Sequence, residues 1–289
     1  MTETNSSQKK LPQVKHILAV ASGKGGVGKS TVSVNLALGL SKLGKKVGLL
    51  DADIYGPSQH IMLGLKDQAP QMDQNRKITP TEKFGIKLMS FGFSVKPEEA
   101  VVWRGPMIGR MLQQFVEDVL WGELDVLVVD LPPGTGDAQL TLTQILPLSG
   151  AVIVSTPQDV ALADAIKGIN MFQKVNVPVI GVVENMSYFE CPKCHHQSHI
   201  FSHAGAHHKA DEMNVPFLGE IPLEEATRTG GDQGKPIIIK DPDGAQALRF
   251  LEVSKQVLDK LQTQNQNTFT FTTNLGAKVS SEKPTGFEV

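Results

Sequence analysis

Short apolar runs, each closed by a polar or glycine-rich break, recur along the chain at His16–Ala21, Lys45–Asp51, Ile86–Phe91, Leu124–Asp130, Ala151–Ser155, Val179–Val183 and Phe217–Ile221. Their apolar character is nearly continuous, so they predict strands buried on both faces. Between them, Ser30–Leu43 and residues 105–121, 137–146, 160–174 and 244–262 place apolar residues at helical spacing. Strands alternating with helices predict an α/β fold, a doubly wound and mostly parallel sheet with helices on both faces. Right-handed crossovers then gather the loops after the strands at one sheet edge, where ligands bind.

The alternation outlines the organisation. Residues 1–14 are polar and expected to be disordered, residues 15–262 form the α/β domain, and residues 263–289 are polar, without helical periodicity, and expected to be flexible. Two stretches interrupt the domain, a polar surface excursion at about 66–84 and an insertion at 184–213 that holds both cysteines and most of the histidines. At 289 residues one large α/β domain is a natural size. The 28 basic residues nearly balance the 30 acidic ones, which gives no electrostatic case for nucleic acid. No window approaches the roughly 18 apolar residues of a membrane span, and the start MTETNSSQKK lacks the apolar core of a signal peptide. The expectation is a cytoplasmic protein that binds neither nucleic acid nor membrane.

Candidate chemistry begins directly after the first strand. Gly23-Lys24-Gly25-Gly26-Val27-Gly28-Lys29-Ser30-Thr31 fills every fixed position of GxxxxGK[ST] and runs into a helix, the context that makes this pattern a phosphate cradle, or P-loop. Glycines let backbone N–H groups wrap the phosphates, Lys29 neutralises them, and the Ser30 hydroxyl suits Mg²⁺. Asp130 ends an apolar strand before Leu131-Pro132-Pro133-Gly134 and suits the outer sphere of the same Mg²⁺. Asp51 and Asp53 fall on one side of an extended segment at the same edge. The loop Gly134-Thr135-Gly136-Asp137 has the glycines of a switch segment.

Cys191 and Cys194, in Cys191-Pro192-Lys193-Cys194, are the only cysteines, so a disulfide framework is excluded and the pair points to metal or redox chemistry. Two thiolates suit a soft metal but leave zinc or a [4Fe-4S] cluster two ligands short. His195, His196, His199, His203, His207 and His208 crowd nearby and could complete a Cys2His2 zinc site. Equally, a second copy of the chain could bring two more thiolates across a two-fold axis.

With Lys24 as a second loop lysine, the chain resembles the deviant Walker A ATPases, the group of MinD, ParA and nitrogenase iron protein. That resemblance implies ATP as ligand, Lys24 acting in trans across a dimer, Asp53 orienting the attacking water and Asn185 contacting adenine. The segments Asp51-Ala-Asp-Ile-Tyr-Gly-Pro-Ser58, Trp103-Arg-Gly-Pro106, Asp130-Leu-Pro-Pro-Gly-Thr-Gly-Asp137 and Glu184-Asn-Met-Ser-Tyr188 before the cysteine pair are similar to one branch, the Mrp/ApbC-type iron-sulfur cluster carriers. This likeness implies a homodimer that holds a labile [4Fe-4S] cluster at Cys191 and Cys194. It implies weak ATPase activity coupled to the cluster, scaffold proteins that load it and apoproteins that receive it. Two departures stand out: His195 replaces the glycine usual after the second cysteine, and Phe201-Ser-His-Ala-Gly-Ala206 replaces a glycine-rich stretch. The other readings in view are a MinD/ParA-like spatial regulator and a P-loop ATPase with structural zinc.

Overall fold

The computed structural model describes residues 11–94 and 105–276. In chain order the elements are β1 (Val14–Ala21), α1 (Lys29–Lys42), β2 (Val47–Asp51), α2 (Gln59–Met62), β3 (Gln71–Met72), β4 (Ile78–Thr79), β5 (Thr81–Lys83), β6 (Ile86–Ser90), α3 (Gly105–Glu117), β7 (Leu124–Asp130), α4 (Asp137–Ile145), β8 (Gly150–Ser155), α5 (Asp159–Lys174), β9 (Val179–Glu190), β10 (Gln197–Ser198), α6 (Gly205–Glu212), β11 (Phe217–Leu223), α7 (Glu225–Asp232), α8 (Ile237–Lys240) and α9 (Ala245–Gly276). The strands β11, β9, β8, β1, β7, β2 and β6 lie side by side in that order, every pairing parallel. Antiparallel β5 flanks β6, and β10 folds back on the end of β9.

Side chains alternate between the two faces of a strand, and both faces of this sheet are buried. Ile17, Ala19 and Ala21 of β1, Leu127 and Val129 of β7 and Ala151 and Ile153 of β8 join one core with Leu112, Phe115, Leu162 and Phe172 from α3 and α5. The residues between them, Leu18, Val20, Val126, Val128, Val152 and Val154, join the opposite core with Leu36, Leu40, Phe250 and Val257 of α1 and α9. Each Val, Leu, Ile or Phe side chain so buried contributes about 1.5–3 kcal/mol. The doubly wound arrangement expected from the alternation is the one present, and all three loops after β1, β2 and β7 emerge at one edge.

Three boundaries differ from expectation for identifiable reasons. β9 runs on through Glu184 and Asn185 to Glu190, because the fold supplies partners for these two polar side chains: Glu184 accepts from the Ala206 N–H and Asn185 donates to the Val27 carbonyl. The expected insertion therefore starts only after this strand. α3 stops at Glu117, because the chain beyond it turns to bond Ile78, which donates to Asp118 and accepts from Leu120. α9 continues past Leu261, where its apolar face ends, to Gly276, with no proline or glycine before that point to stop it. Residues 1–10 and 277–289, and Trp103 and Arg104 of the Trp-Arg-Gly-Pro segment, lie outside the described residues.

Candidate functional site

The turn from β1 into α1 is held by close packing. Gly28 precedes α1 with φ +80°, and a Cβ there would run into the Asn185 amide, so this position admits glycine alone. Gly25 and Gly26 border open space, leaving bare backbone facing outward where α1 begins. Asn185 Nδ2 donates to the Val27 carbonyl at 2.8 Å, which places the side chain against the loop itself. Lys24 and Thr31 are half-buried on either side of the turn. Gly134 N–H donates to the Ser22 carbonyl, tying the 134–137 loop to the cradle.

Lys29, the first residue of α1, is buried and reaches across to the strand ends. Its Nζ lies 2.7 Å from Asp130 Oδ1 and 3.3 Å from Asp53 Oδ2. Burial opposes its charge, but Asp130 and Asp53 outweigh that and hold its pKa above the ordinary lysine value. Asp130 Oδ1 also accepts from the Ser33 hydroxyl at 2.8 Å, and Oδ2 accepts from Gln59 Nε2 at 2.8 Å. Ser30 Oγ sits 3.3 Å from Lys29 Nζ.

The parallel register sets Asp51 directly beside Asp130. Burial first, and the Asp130 charge second, push the Asp51 carboxyl up to about 7. Asp51 Oδ2 accepts from the backbone N–H groups of Ser58 and Gln59 at the start of α2 and from the Ser90 hydroxyl, and Oδ1 accepts from Asp53 N–H. The two acids thus part company: Asp53 pairs with Lys29, whereas Asp51 braces the segment that carries Asp53. Gln59, Ser33 and Ser90 complete the cluster and carry no recognisable sequence signal, since their place follows from strand register. The oxygen donors Ser30, Asp53 and Asp130 are hard ligands of the kind Mg²⁺ takes. Bare backbone, a helix N-terminus and a buried lysine fit a nucleotide's phosphates.

The cysteine pair lies elsewhere, in the hairpin between β9 and β10. Cys191 N–H donates to the His196 carbonyl at 3.0 Å and His195 N–H to the Cys191 carbonyl at 2.9 Å, closing a tight knuckle. Backbone N–H groups of Lys193 and Cys194 point at the Cys191 sulfur and lower its pKa, favouring the thiolate that metals bind. His195 holds φ +57°, the left-handed region that favours glycine, and its ring contacts Glu190 at 3.0 Å. His199 packs edge-on to His203, and His207 stacks on Phe217. Among the described residues no group of three or more His, Cys, Asp or Glu side chains is gathered to hold a metal, so the Cys2His2 site within one chain is not assembled. A cavity of about 550 Å³ adjoins the knuckle, lined in part by Tyr188, Phe189, Pro192, His195, Leu223 and Arg249.

Comparison with known proteins bears on the family and the fold. The ParA model described as NUBPL iron-transfer P-loop NTPase matches residues 13–258. The iron-sulfur cluster transfer protein NUBPL of Dictyostelium discoideum is 51% identical over 253 residues, 87% of this chain and 78% of that one. An iron-sulfur cluster carrier protein of Aquifex aeolicus is 51% identical over 250 residues, covering 86% and 69%. Among solved structures, the nucleotide-binding protein of Archaeoglobus fulgidus in complex with ADP superposes with a TM-score of 0.72 at 39% identity, over 83% of this chain and 93% of that one. No helix among the described residues is long and apolar enough to cross a membrane.

Proposed function

This chain belongs to the ParA-type family of NUBPL iron-transfer P-loop NTPases, and from that premise we propose that it is an ATP-binding carrier that holds a labile [4Fe-4S] cluster across a homodimer and passes it to apoproteins. One observation carries the reading: β9 links the glycine loop and its buried Lys29–Asp130 pair to a cysteine pair that has no third ligand beside it among the described residues. Cys191 and Cys194 offer two thiolates, and no third ligand stands beside them among the described residues. A [4Fe-4S] cluster takes four, and a second copy related by a two-fold axis brings the same two. Scaffold proteins load the cluster and apoproteins receive it.

At the phosphate end, Gly23–Thr31 binds ATP, Ser30 ligates Mg²⁺ and Asp130 holds its outer sphere. Bound Mg²⁺ supplies charge neutralisation on the phosphates. Lys29 serves the phosphates of its own chain and Lys24 those of its partner. Asp53, already beside Lys29, orients the attacking water, and Asn185 contacts the adenine. Hydrolysis is slow and coupled to the cluster. β9 supports that coupling, since it touches the P-loop through Asn185 and ends at the cysteine hairpin.

Iron and sulfide analysis after anaerobic reconstitution tests the reading. Wild type should hold about two irons per chain, one four-iron cluster per dimer, while Cys191→Ala and Cys194→Ala hold none. A cysteine variant that keeps the cluster, or wild type that carries stoichiometric zinc and accepts no iron and sulfide, would sink it.

A further inference from the structure

The inference concerns Gln59 and rests on the nucleotide reading above. We propose that Gln59 is a positioning residue for the divalent cation of that site, fixing Asp130 through its amide nitrogen and accepting a hydrogen bond from cation-bound water through its carbonyl oxygen. The residue opens α2 and is fully buried. Its backbone N–H is fixed by Asp51 Oδ2 at 3.0 Å, so the side chain starts from an anchored base. Its Nε2 donates both to Asp130 Oδ2 at 2.8 Å and to the Ser30 carbonyl at 3.0 Å.

Both of those neighbours are acceptors, and so the amide has one orientation. Turning it over would set its oxygen against a carboxylate and a carbonyl. Orientation in turn isolates Oε1, which is buried and has no donor in the protein. A buried amide oxygen without a donor is uncommon in a folded protein and calls for a water, an ion or a functional role. Here the orphan belongs to a side chain that ties the Ser30 backbone carbonyl to Asp130, both in residues assigned to the cation. A Mg²⁺ ion bound to nucleotide keeps several of its waters, and each such water is a strong hydrogen-bond donor. No other chemical class named by this site supplies a neutral donor at that junction: Lys29 is engaged with Asp130 and Asp53, and the Ser33 hydroxyl with Asp130. The side chain does not titrate, so its contribution is the same at every pH at which the fold is intact.

Titration of a fluorescent ATP analogue into the full chain at graded MgCl2, and separately in EDTA, tests the proposal. Gln59→Met removes both the donor and the orphan acceptor at similar volume. It should raise the half-saturating Mg²⁺ concentration roughly tenfold, as loss of an outer-sphere partner does at other metal sites. Affinity in EDTA should stay near wild type, while thermal stability falls modestly because Asp130 Oδ2 and the Ser30 carbonyl lose their donor. Gln59→Asn, which keeps the amide but draws it back by one methylene, should shift the Mg²⁺ requirement in the same direction, so the test does not hang on one variant's folding. Unchanged Mg²⁺ dependence in both variants overturns the proposal, as does an equal loss of affinity with and without Mg²⁺, which marks a packing role alone. Wild type that binds no nucleotide at any Mg²⁺ concentration defeats the nucleotide reading itself, an outcome distinct from variants that bind as wild type does.

Discussion

The P-loop and the cysteine hairpin are joined by one strand and built in opposite ways. At the P-loop, Lys29, Asp51 and Asp130 are all buried, Lys29 paired with Asp130 and Asp51 hydrogen-bonded to Ser90 and the start of α2. At the hairpin, Cys194 is exposed, Cys191 half-buried, and the ligand set stops at two. Charges buried in a low-dielectric interior must be compensated locally or they cost several kcal/mol. A cysteine pair at the surface, one side chain exposed and the other half-buried, carries no such obligation. The first region is braced by its own side chains, whereas the second has no third ligand beside its cysteines among the described residues, as the proposed shared cluster requires.

The strongest way to break that contrast is Lys29→Ala. It strips the buried carboxylates Asp130 and Asp53 of their cation and should cost about 3–5 kcal/mol in urea denaturation, beyond its effect on nucleotide binding. A cost below about 1 kcal/mol, no larger than for a surface ion pair, would mean the network is not the tightly compensated one described.

A smaller effect comes from pH. Burial and Asp130 raise Asp51 from 3.8 in the unfolded chain to about 7 in the fold, so between those values the native state binds the extra proton. Stability from this group is full at and below about pH 4, falls as pH rises towards 7, and is flat above. Asp51→Asn should remove that slope while leaving other acids to titrate. Denaturation at pH 5, 6, 7 and 8 measures it, and parallel curves for the two proteins would contradict the assignment.

The smallest effect sharpens the hairpin side. His195 sits in a left-handed conformation that costs a residue with a Cβ about 1 kcal/mol or more, against an exposed Glu190 contact of low value. His195→Gly should therefore tighten the knuckle by about 0.5–1 kcal/mol. Slower hydrogen exchange at the Cys191 N–H that bonds His196 would report it, and faster exchange would show that the ring contact outweighs the backbone strain.

The same contrast explains what the sequence could disclose. Gly23–Thr31 and Cys191–Cys194 were legible because their chemistry depends on fixed local spacing, and the apolar runs of β1, β2, β7 and β8 were legible because both faces of the sheet are buried. Gln59, Ser33 and Ser90 were not, because their roles arise only when the β2–β7 register sets Asp51 beside Asp130. The second half of β9 was missed for a related reason. Glu184 and Asn185 look like loop until α6 and the P-loop provide their hydrogen-bond partners. The short helices α2, α7 and α8 have too few turns to show a period.

β9 has one more consequence. β8 supports it only as far as Glu184, while beyond that point β11 shifts register and β10 contributes two paired residues at the tip. Local opening of a fold becomes easier where fewer ladders and less buried surface oppose it. The strand is therefore graded along its length, firm where it crosses the sheet and progressively easier to fray towards Cys191. For the cluster proposed above, cysteines mounted at the frayable end would let the site open by a local fluctuation without unfolding of the core.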